Sequence, residues 1–330
     1  MTTWLPGLAS RAVTGLADAV LPPRVSVLIF HRVLPHPDPL FPEEPCAQRF
    51  GALVALLARS FTLLTLGQAH ALWAEGRLPR RAAVITFDDG YADNATVALP
   101  ILQRHGAHAT FFVASGFLDG GRMWNDTVIE SLRRAPAATV DLGFLGLSVL
   151  PLNDAAARRR AINAALPKIK YLDLQAREPA LQRLHQACGA PELPRDLMMT
   201  SAQVRQLHQA GMEIGAHTVM HPILTTLPDT EALRELREGR QRLQHITGAA
   251  VDVLAYPNGK PGTDYDRRHV AMAQALGFRC AVSTARGTVR AGSDPYQWPR
   301  FTPWDRDWLR WTARLLSVRY LGGAPVPAAM

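Results

Sequence analysis

Ala82-Ala83-Val84-Ile85-Thr86-Phe87-Asp88-Asp89-Gly90 decides the reading of this chain. The apolar run is short and reads as a strand. It breaks into two adjacent carboxylates and a glycine, so the acids stand just past the strand's carboxyl end. A second stretch has the same grammar: Met212-Glu213-Ile214-Gly215 precedes His217-Thr218-Val219-Met220-His221-Pro222. Together they supply one spare carboxylate and three candidate ligands, Asp89, His217 and His221. Three protein ligands leave a position open on a zinc-like ion, where a catalytic water can sit.

Each stretch alone has an ordinary explanation. Paired acids before glycine are common turn residues. Two histidines four apart also occur on one helix face, as in the H-E-x-x-H zinc proteases, but Thr218 stands where that motif keeps its base. Gly215 and Pro222 favour a loop after a strand. The combination, with these flanks, is far more specific than either part.

These residues resemble the polysaccharide deacetylases, the NodB-like group of carbohydrate esterase family 4. That family's first motif reads TFDDG and its second H-[ST]-x-x-H-P, and both stand here unchanged. The likeness runs from about Arg24 to Pro303 and includes Ala109–Val113 and the turn Ala255-Tyr256-Pro257-Asn258-Gly259. It implies a distorted, incomplete (β/α) barrel. It also implies Asp88 as base, with Asp89, His217 and His221 holding a divalent metal. Carboxylate plus imidazole suits Zn²⁺, with Co²⁺, Ni²⁺ or Mn²⁺ as alternatives.

The third motif departs from the family pattern R-x-P-Y-G. Ala255 stands in the place of its Arg and Asn258 in the place of its Tyr, while the Pro and Gly match. The base thus lacks its usual guanidinium, and Arg300, in Trp298-Pro299-Arg300-Phe301, is the candidate substitute. The backbone N–H of Asn258 is the candidate oxyanion donor. No His follows His269, although the family often keeps its acid in a late motif. His31, after Val25–Phe30, is the candidate general acid, as in relatives with an early aromatic-His segment.

The wider pattern alternates short apolar runs with helical stretches, as a parallel α/β fold does. Strands are expected at Val25–Phe30, Phe61–Leu64, Ala82–Phe87, Ala109–Val113, Met212–Ala216, Asp252–Tyr256 and Arg279–Ser283, about seven in all. Helices are expected at Phe50–Ala58, Ala95–His105, Ser201–Ala210, Thr230–Thr247 and Tyr265–Leu276. The chemical residues follow strands, the end at which barrel enzymes assemble their sites. Residues from about 120 to 200 break the alternation and read as a mostly helical insertion. The domain plan is an amphipathic segment at 1–23, a catalytic domain at 24–321 and a flexible tail at 322–330. Trp304 to Leu321 reads as a closing amphipathic helix.

With 330 residues, 48% of them hydrophobic, the chain can bury a sizeable core. Its net charge of +8 comes almost wholly from scattered Arg, without a nucleic-acid-binding motif. Nucleic acid is therefore not an expected partner. Cys46, Cys188 and Cys280 are widely spaced and odd in number, which fits free thiols in a reducing compartment. No signal peptide or membrane span is visible, so the expected location is cytoplasmic. Peripheral membrane contact through Trp4, Leu5, Leu8, Leu16 and Val20 is possible on this pattern but not expected.

The resemblance implies hydrolytic deacetylation of an N-acetylated glycan or glycolipid. A C–N hydrolase of a non-sugar amide, or an inactive glycan-binding protein, are the competing readings.

Overall fold

The computed structural model describes residues 22–172, 174–302 and 319. The apolar face from Trp4 to Val20, the closing helix at 304–321 (Arg319 apart) and the 322–330 tail lie outside the described residues. The strands are β1 (Arg24–Phe30), β2 (Thr62–Leu64), β3 (Arg81–Phe87), β4 (Thr110–Val113), β5 (Thr139–Asp141), β6 (Val149–Pro151), β7 (Glu213–Ala216), β8 (Val253–Ala255), β9 (Cys280–Arg286) and β10 (Trp298–Arg300). The helices are α1 (Ala47–Ser60), α2 (Leu66–Ala74), α3 (Leu99–Arg104), α4 (Trp124–Arg134), α5 (Ala155–Lys170), α6 (Leu174–Ala187), α7 (Ser201–Gln209), α8 (Asp229–Thr247) and α9 (Arg267–Ala275).

β1 and β3 are continuous apolar runs, and every residue after the first is buried in each. That is the signature of strands covered on both faces. They pair in parallel, with Val25 opposite Ala82 and Phe30 opposite Phe87. The sheet continues in the order β1-β3-β4-β7-β8-β9-β10. It then returns to its start. Ile29 N–H donates to Phe301 O at 3.0 Å, and Phe301 N–H donates to Val27 O at 2.7 Å. The result is a nearly closed, distorted α/β barrel, as expected. The distortion has identifiable places: β7 and β8 share only the pair Ala216–Leu254, and the β9–β10 register shifts.

Seven strands make this ring, but they are not the seven read from the sequence. β2 pairs with the lower half of β3 and lies off the path, while the unforeseen β10 completes it. β10 is three residues long and contains Pro299, which carries no strand signal. α2 was also unforeseen. The expected helix at Ala95–His105 begins as a π-helical turn over Asn94–Ala98 before becoming α3.

Alternation along the strands separates two cores. Val25, Val27, Ala82, Val84, Phe112, Val253, Ala255, Val282 and Trp298 form one cluster. Residues one position out of phase, such as Ala83, Ile85, Phe87, Phe111 and Leu254, join the helices in another. The phase of Ala82 and Val84 continues to Thr86 and Asp88. The first cluster's side of the sheet therefore receives the first carboxylate.

Between β4 and β7, α4, α5 and α6 pack with an antiparallel β5–β6 hairpin around their own apolar cluster, including Val128, Leu132, Ile162 and Leu184. The helical reading of this stretch holds, and the small hairpin is an addition. Pro167 and Pro179 sit inside α5 and α6 rather than ending them. No helix among the described residues is long and apolar enough to cross a membrane.

Candidate active site

β3 delivers Asp88 at its carboxyl end, where Asp88 N–H donates to Phe30 O at 2.9 Å. The backbone then turns sharply. Asp89 has φ of 74° and Gly90 has φ of 91°. A Cβ on Gly90 would lie 2.9 Å from Val113 Cγ1, so both conformation and space demand glycine there. The turn takes Asp89 out of the strand's alternation and separates the two carboxylates.

Asp88 meets Arg300. Nη1 and Nη2 donate to Oδ1 and Oδ2, each at 2.7 Å, in the bidentate geometry a guanidinium favours. Two further donors are also used: Nε bonds Ser283 O at 2.9 Å and Nη1 bonds Thr86 Oγ1 at 3.2 Å. Asp88 and Arg300 are 3% and 2% exposed, so the pair is sealed from bulk water. Burial alone would raise the Asp88 carboxyl. The charges of Arg300 and His217 and the Arg300 hydrogen bonds outweigh it and hold the group below its ordinary value.

Asp89 faces the two histidines. Its Oδ1 lies 3.5 Å from His217 Nε2 and 3.4 Å from His221 Nε2. One ligand atom from each of the three residues falls within 4.8 Å of the others. His217 Nδ1 lies 2.7 Å from Ala255 O, which assigns that nitrogen the proton and leaves the Nε2 lone pair facing Asp89. Ala255, the departure in the third motif, thus contributes its carbonyl. The donor set and its orientation fit a divalent cation with nitrogen and oxygen ligands. Burial opposes ionisation of Asp89, but its contacts with the imidazoles of His217, His221 and His31 hold it well below the usual carboxylate range. Burial pushes His221 down to about 4, so it is neutral and able to bind metal at neutral pH.

The loop carrying the histidines is fixed by residues the sequence did not reveal. Thr218 and His221 both take left-handed backbone, with φ of 65° and 51°. Thr218 Oγ1 accepts from His221 N–H at 3.0 Å. Glu235 on α8 accepts from Val219 N–H and Met220 N–H, both at 2.8 Å. Gly239, one turn on, lets α8 approach: a Cβ there would lie 2.7 Å from the Thr218 carbonyl carbon. A buried acid four residues before a glycine is the only trace of this in the sequence, and helices show it often. Asp89, Thr218, His221 and Asn258 are four of the six non-glycine residues at positive φ among the described residues, so backbone strain concentrates here.

Asn258 has φ of 57°, its carbonyl accepts from Thr284 Oγ1 at 2.8 Å, and its N–H meets no acceptor among the described residues. His31 follows β1, half-buried, with its carbonyl accepting from Asn94 Nδ2 at 2.9 Å. Its imidazole acts electrostatically on Asp88, Asp89 and His221, which puts it at the same end of the barrel. All seven residues singled out in the sequence therefore lie at one end of the sheet.

Residues 75–156 and 178–281 match the polysaccharide deacetylase family model. A curated Bacillus subtilis protein, YxkH, whose own assignment as a polysaccharide deacetylase is provisional, is 19% identical over 237 residues. The match covers 72% of this chain and 57% of YxkH, so the chain spans little more than half of that relative. The Streptococcus pyogenes deacetylase PplD superposes with a TM-score of 0.59 at 17% identity, covering 90% of this chain and 99% of PplD. IcaB from Ammonifex degensii gives 0.58 at 19% identity, over 89% of this chain and 97% of its own. At these identities the structures establish a shared fold.

Proposed function

The chain belongs to the polysaccharide deacetylase family, hydrolases of carbon–nitrogen bonds other than peptide bonds, and from that premise we propose that it removes acetyl groups from an N-acetylated sugar of a bacterial surface glycan. The observation that carries this is the sealed Asp88–Arg300 pair standing beside the Asp89, His217 and His221 cluster. A base and a metal site are both provided, by separate carboxylates.

An N-acetyl amide is a poor electrophile and water a poor nucleophile. At Asp89, His217 and His221 the chemistry supplied by a bound divalent ion, Zn²⁺ in our reading, is polarisation of the acetyl carbonyl and acidification of water. Asp88 takes the proton from the attacking water. Arg300 keeps Asp88 ionised and aims both its oxygens, the task the family gives to its third-motif Arg. The Asn258 N–H donates to the oxyanion that develops on the acetyl carbonyl. His31 gives a proton to the departing nitrogen, because an expelled amide anion would be far too basic. The products are acetate and the free amine.

The polysaccharide deacetylase family match supports a glycan substrate, and an extracellular polysaccharide or its lipid-linked precursor is our choice within that class. The three unpaired cysteines support a reducing, cytoplasmic setting. The test is acetate release from a panel of N-acetylated glycans by metal-reconstituted protein. Turnover of at least one glycan is expected. Cleavage of a small non-sugar amide, with every glycan left intact, would replace this reading by the C–N hydrolase one.

A further inference from the structure

Arg32, the residue after His31, is neither a surface arginine nor a sealed one. Its side chain is 26% exposed, and its Nε donates to Asp93 Oδ2 at 2.8 Å. Its guanidinium carbon lies 4.7 Å from the centre of the Tyr91 ring. A guanidinium carries five N–H donors. Only Nε is used here; the two terminal amino groups meet no acceptor among the described residues. Asp93 already balances the positive charge, so the free edge of Arg32 has no need of an anion.

Glu44 supplies the complementary half. It is half-buried, and its carboxylate has no hydrogen-bond or salt-bridge partner among the described residues. Burial raises its carboxyl, and the charges it feels most are His31 and Arg32, then Asp93 and Asp89. Leu34 N–H donates to Pro45 O at 2.9 Å and Ala47 N–H to Leu34 O at 2.7 Å, a parallel bridge that lays the Glu44 segment beside the loop carrying His31 and Arg32. It is not there by chance of a loose loop. Neighbouring acids bind the insertion: Asp38 pairs with Arg133 at 2.6 Å and Glu43 with Arg159 at 2.8 Å. Leu40 joins the insertion's apolar cluster.

The insertion adds polar atoms of its own. Tyr91 Oη donates to Asp126 Oδ1 at 3.2 Å, and Asn125 Nδ2 donates to Tyr91 Oη at 3.4 Å. Asn125 Oδ1 and Asp126 Oδ2 are buried with no partner among the described residues, although Asp126 is only 3% exposed. Folded proteins rarely leave such atoms unmet. A structural ion pair would join Arg32 to Glu44 and satisfy Asp126. Here Arg32 keeps a free donor edge over Tyr91, Glu44 keeps a free acceptor edge on the neighbouring segment, and two oxygens of the residues bonded to Tyr91 go unmet among the described residues.

We propose that Arg32 and Glu44, positioned by Tyr91 and the Asn125–Asp126 pair of α4, form a subsite for the hydroxyl groups of a neutral sugar ring beside the reacting centre. Vicinal hydroxyls donate to a carboxylate and accept from a guanidinium at once, which matches a free edge of each kind. Arg32 and Glu44 touch the sugar. Asp126 and Asn125 act through Tyr91 and Arg32. The subsite rests on the deacetylase reading and gives it a specificity element built from the β1 loop and the insertion.

Kinetics of metal-reconstituted wild type, Arg32→Lys and Glu44→Gln test this on two substrates. One is an N-acetylglucosamine oligomer, followed by acetate release; the other is 4-nitrophenyl acetate, which has no sugar. Each variant should raise KM for the oligomer about tenfold or more, the scale of one lost charge-assisted hydrogen bond. Hydrolysis of the small ester should fall far less. Both substitutions preserve size, and Lys keeps a charge beside Asp93; melting temperatures check that the variants fold. An oligomer KM equal to wild type overturns the subsite alone, as does an equal loss on both substrates. A fall in kcat with KM held also overturns it, since the residues would then serve the chemistry. Wild type that releases acetate from no glycan overturns the deacetylase reading and the subsite with it.

Discussion

Asp88 and Asp126 are equally buried, at 3% exposure each, yet their carboxyls are shifted in opposite directions. Burial raises both carboxyls. At Asp88 the Arg300 fork supplies two short charge-assisted hydrogen bonds, and the group stays ionised. Among the described residues the Asp126 carboxyl bonds only a tyrosine hydroxyl, at 3.2 Å, and it is pushed up to about 7 by burial, against Arg32, with Asp89 adding to the rise. Depth alone therefore does not set charge. The partner does, because desolvation is offset only by a charge and donors in the right geometry. One buried acid is held ionised; the other is raised towards its neutral form.

The sharpest break of this contrast is at Asp88 itself. Asp88→Asn should lower deacetylation by roughly 10²–10⁴-fold, the scale of a lost general base, while metal content stays at the wild-type level. An Asp89→Ala, His217→Ala double variant should lose both metal and activity. Metal analysis of the two purified proteins separates the roles, and equal metal content in both would show them misassigned.

Arg300→Met turns Asp88 into an acid like Asp126. Leaving a buried charge unpaired costs about 3–5 kcal/mol, so unfolding midpoints should fall accordingly. The sign with pH follows from the direction of the shift. A depressed carboxyl contributes stability above its unfolded pKa of about 3.9 and loses it as pH falls through the lower folded value. The stability gap between variant and wild type should thus be full at neutral pH and narrow in acid. The acid limb of the pH–rate profile should move upward in the variant. An unmoved limb would deny Arg300 its hold on the base.

His31→Ala tests whether proton donation is separate from the Asp88 half of the site. It should bind metal and slow amide cleavage by roughly 10²-fold or more, with a much smaller loss on an activated ester. Equal losses on both would remove His31 as the acid.

Asp126→Asn sharpens the contrast from the other side. A carboxyl raised to about 7 binds more protons folded than unfolded, so its contribution is fully present below about pH 3.9 and is lost as pH rises through about 7. The Asn variant is free of that loss. Its stability relative to wild type should improve between pH 5 and pH 8, by a kcal/mol or more. Parallel stability curves across that window would mean Asp126 is ionised throughout. The smallest effect is expected at Asn258→Ala, since the backbone N–H remains; a turnover loss as deep as that of Asp88→Asn would assign the role to its side chain.

How much of this was legible depended on how local each feature is. TFDDG and HTVMHP state their own geometry, because a strand end and a turn are specified by a few consecutive residues. The strands that carry them read clearly from apolar runs. β10 did not, since three residues with a proline carry no pattern, yet they bring Arg300 to the site. Glu235 and Gly239 looked like ordinary helix residues because their partners are main-chain atoms of another loop. Arg32 and Glu44 sit on loops without periodicity and Asp126 in the first turn of α4, and their meaning appears only in what they fail to bond.

The sequence by itself determined the kind of chemistry. It named two carboxylates, three imidazoles and a guanidinium, and it placed the acids and imidazoles past strand ends, because those signals are written within single turns of chain. Only the tertiary structure decided who serves whom. Arg300 meets Asp88 across 212 positions, and the Ala255 carbonyl turns His217 from 38 positions away. Those pairings exist because the sheet curls round until β10 lies beside β1, and no local pattern encodes the closing of a ring.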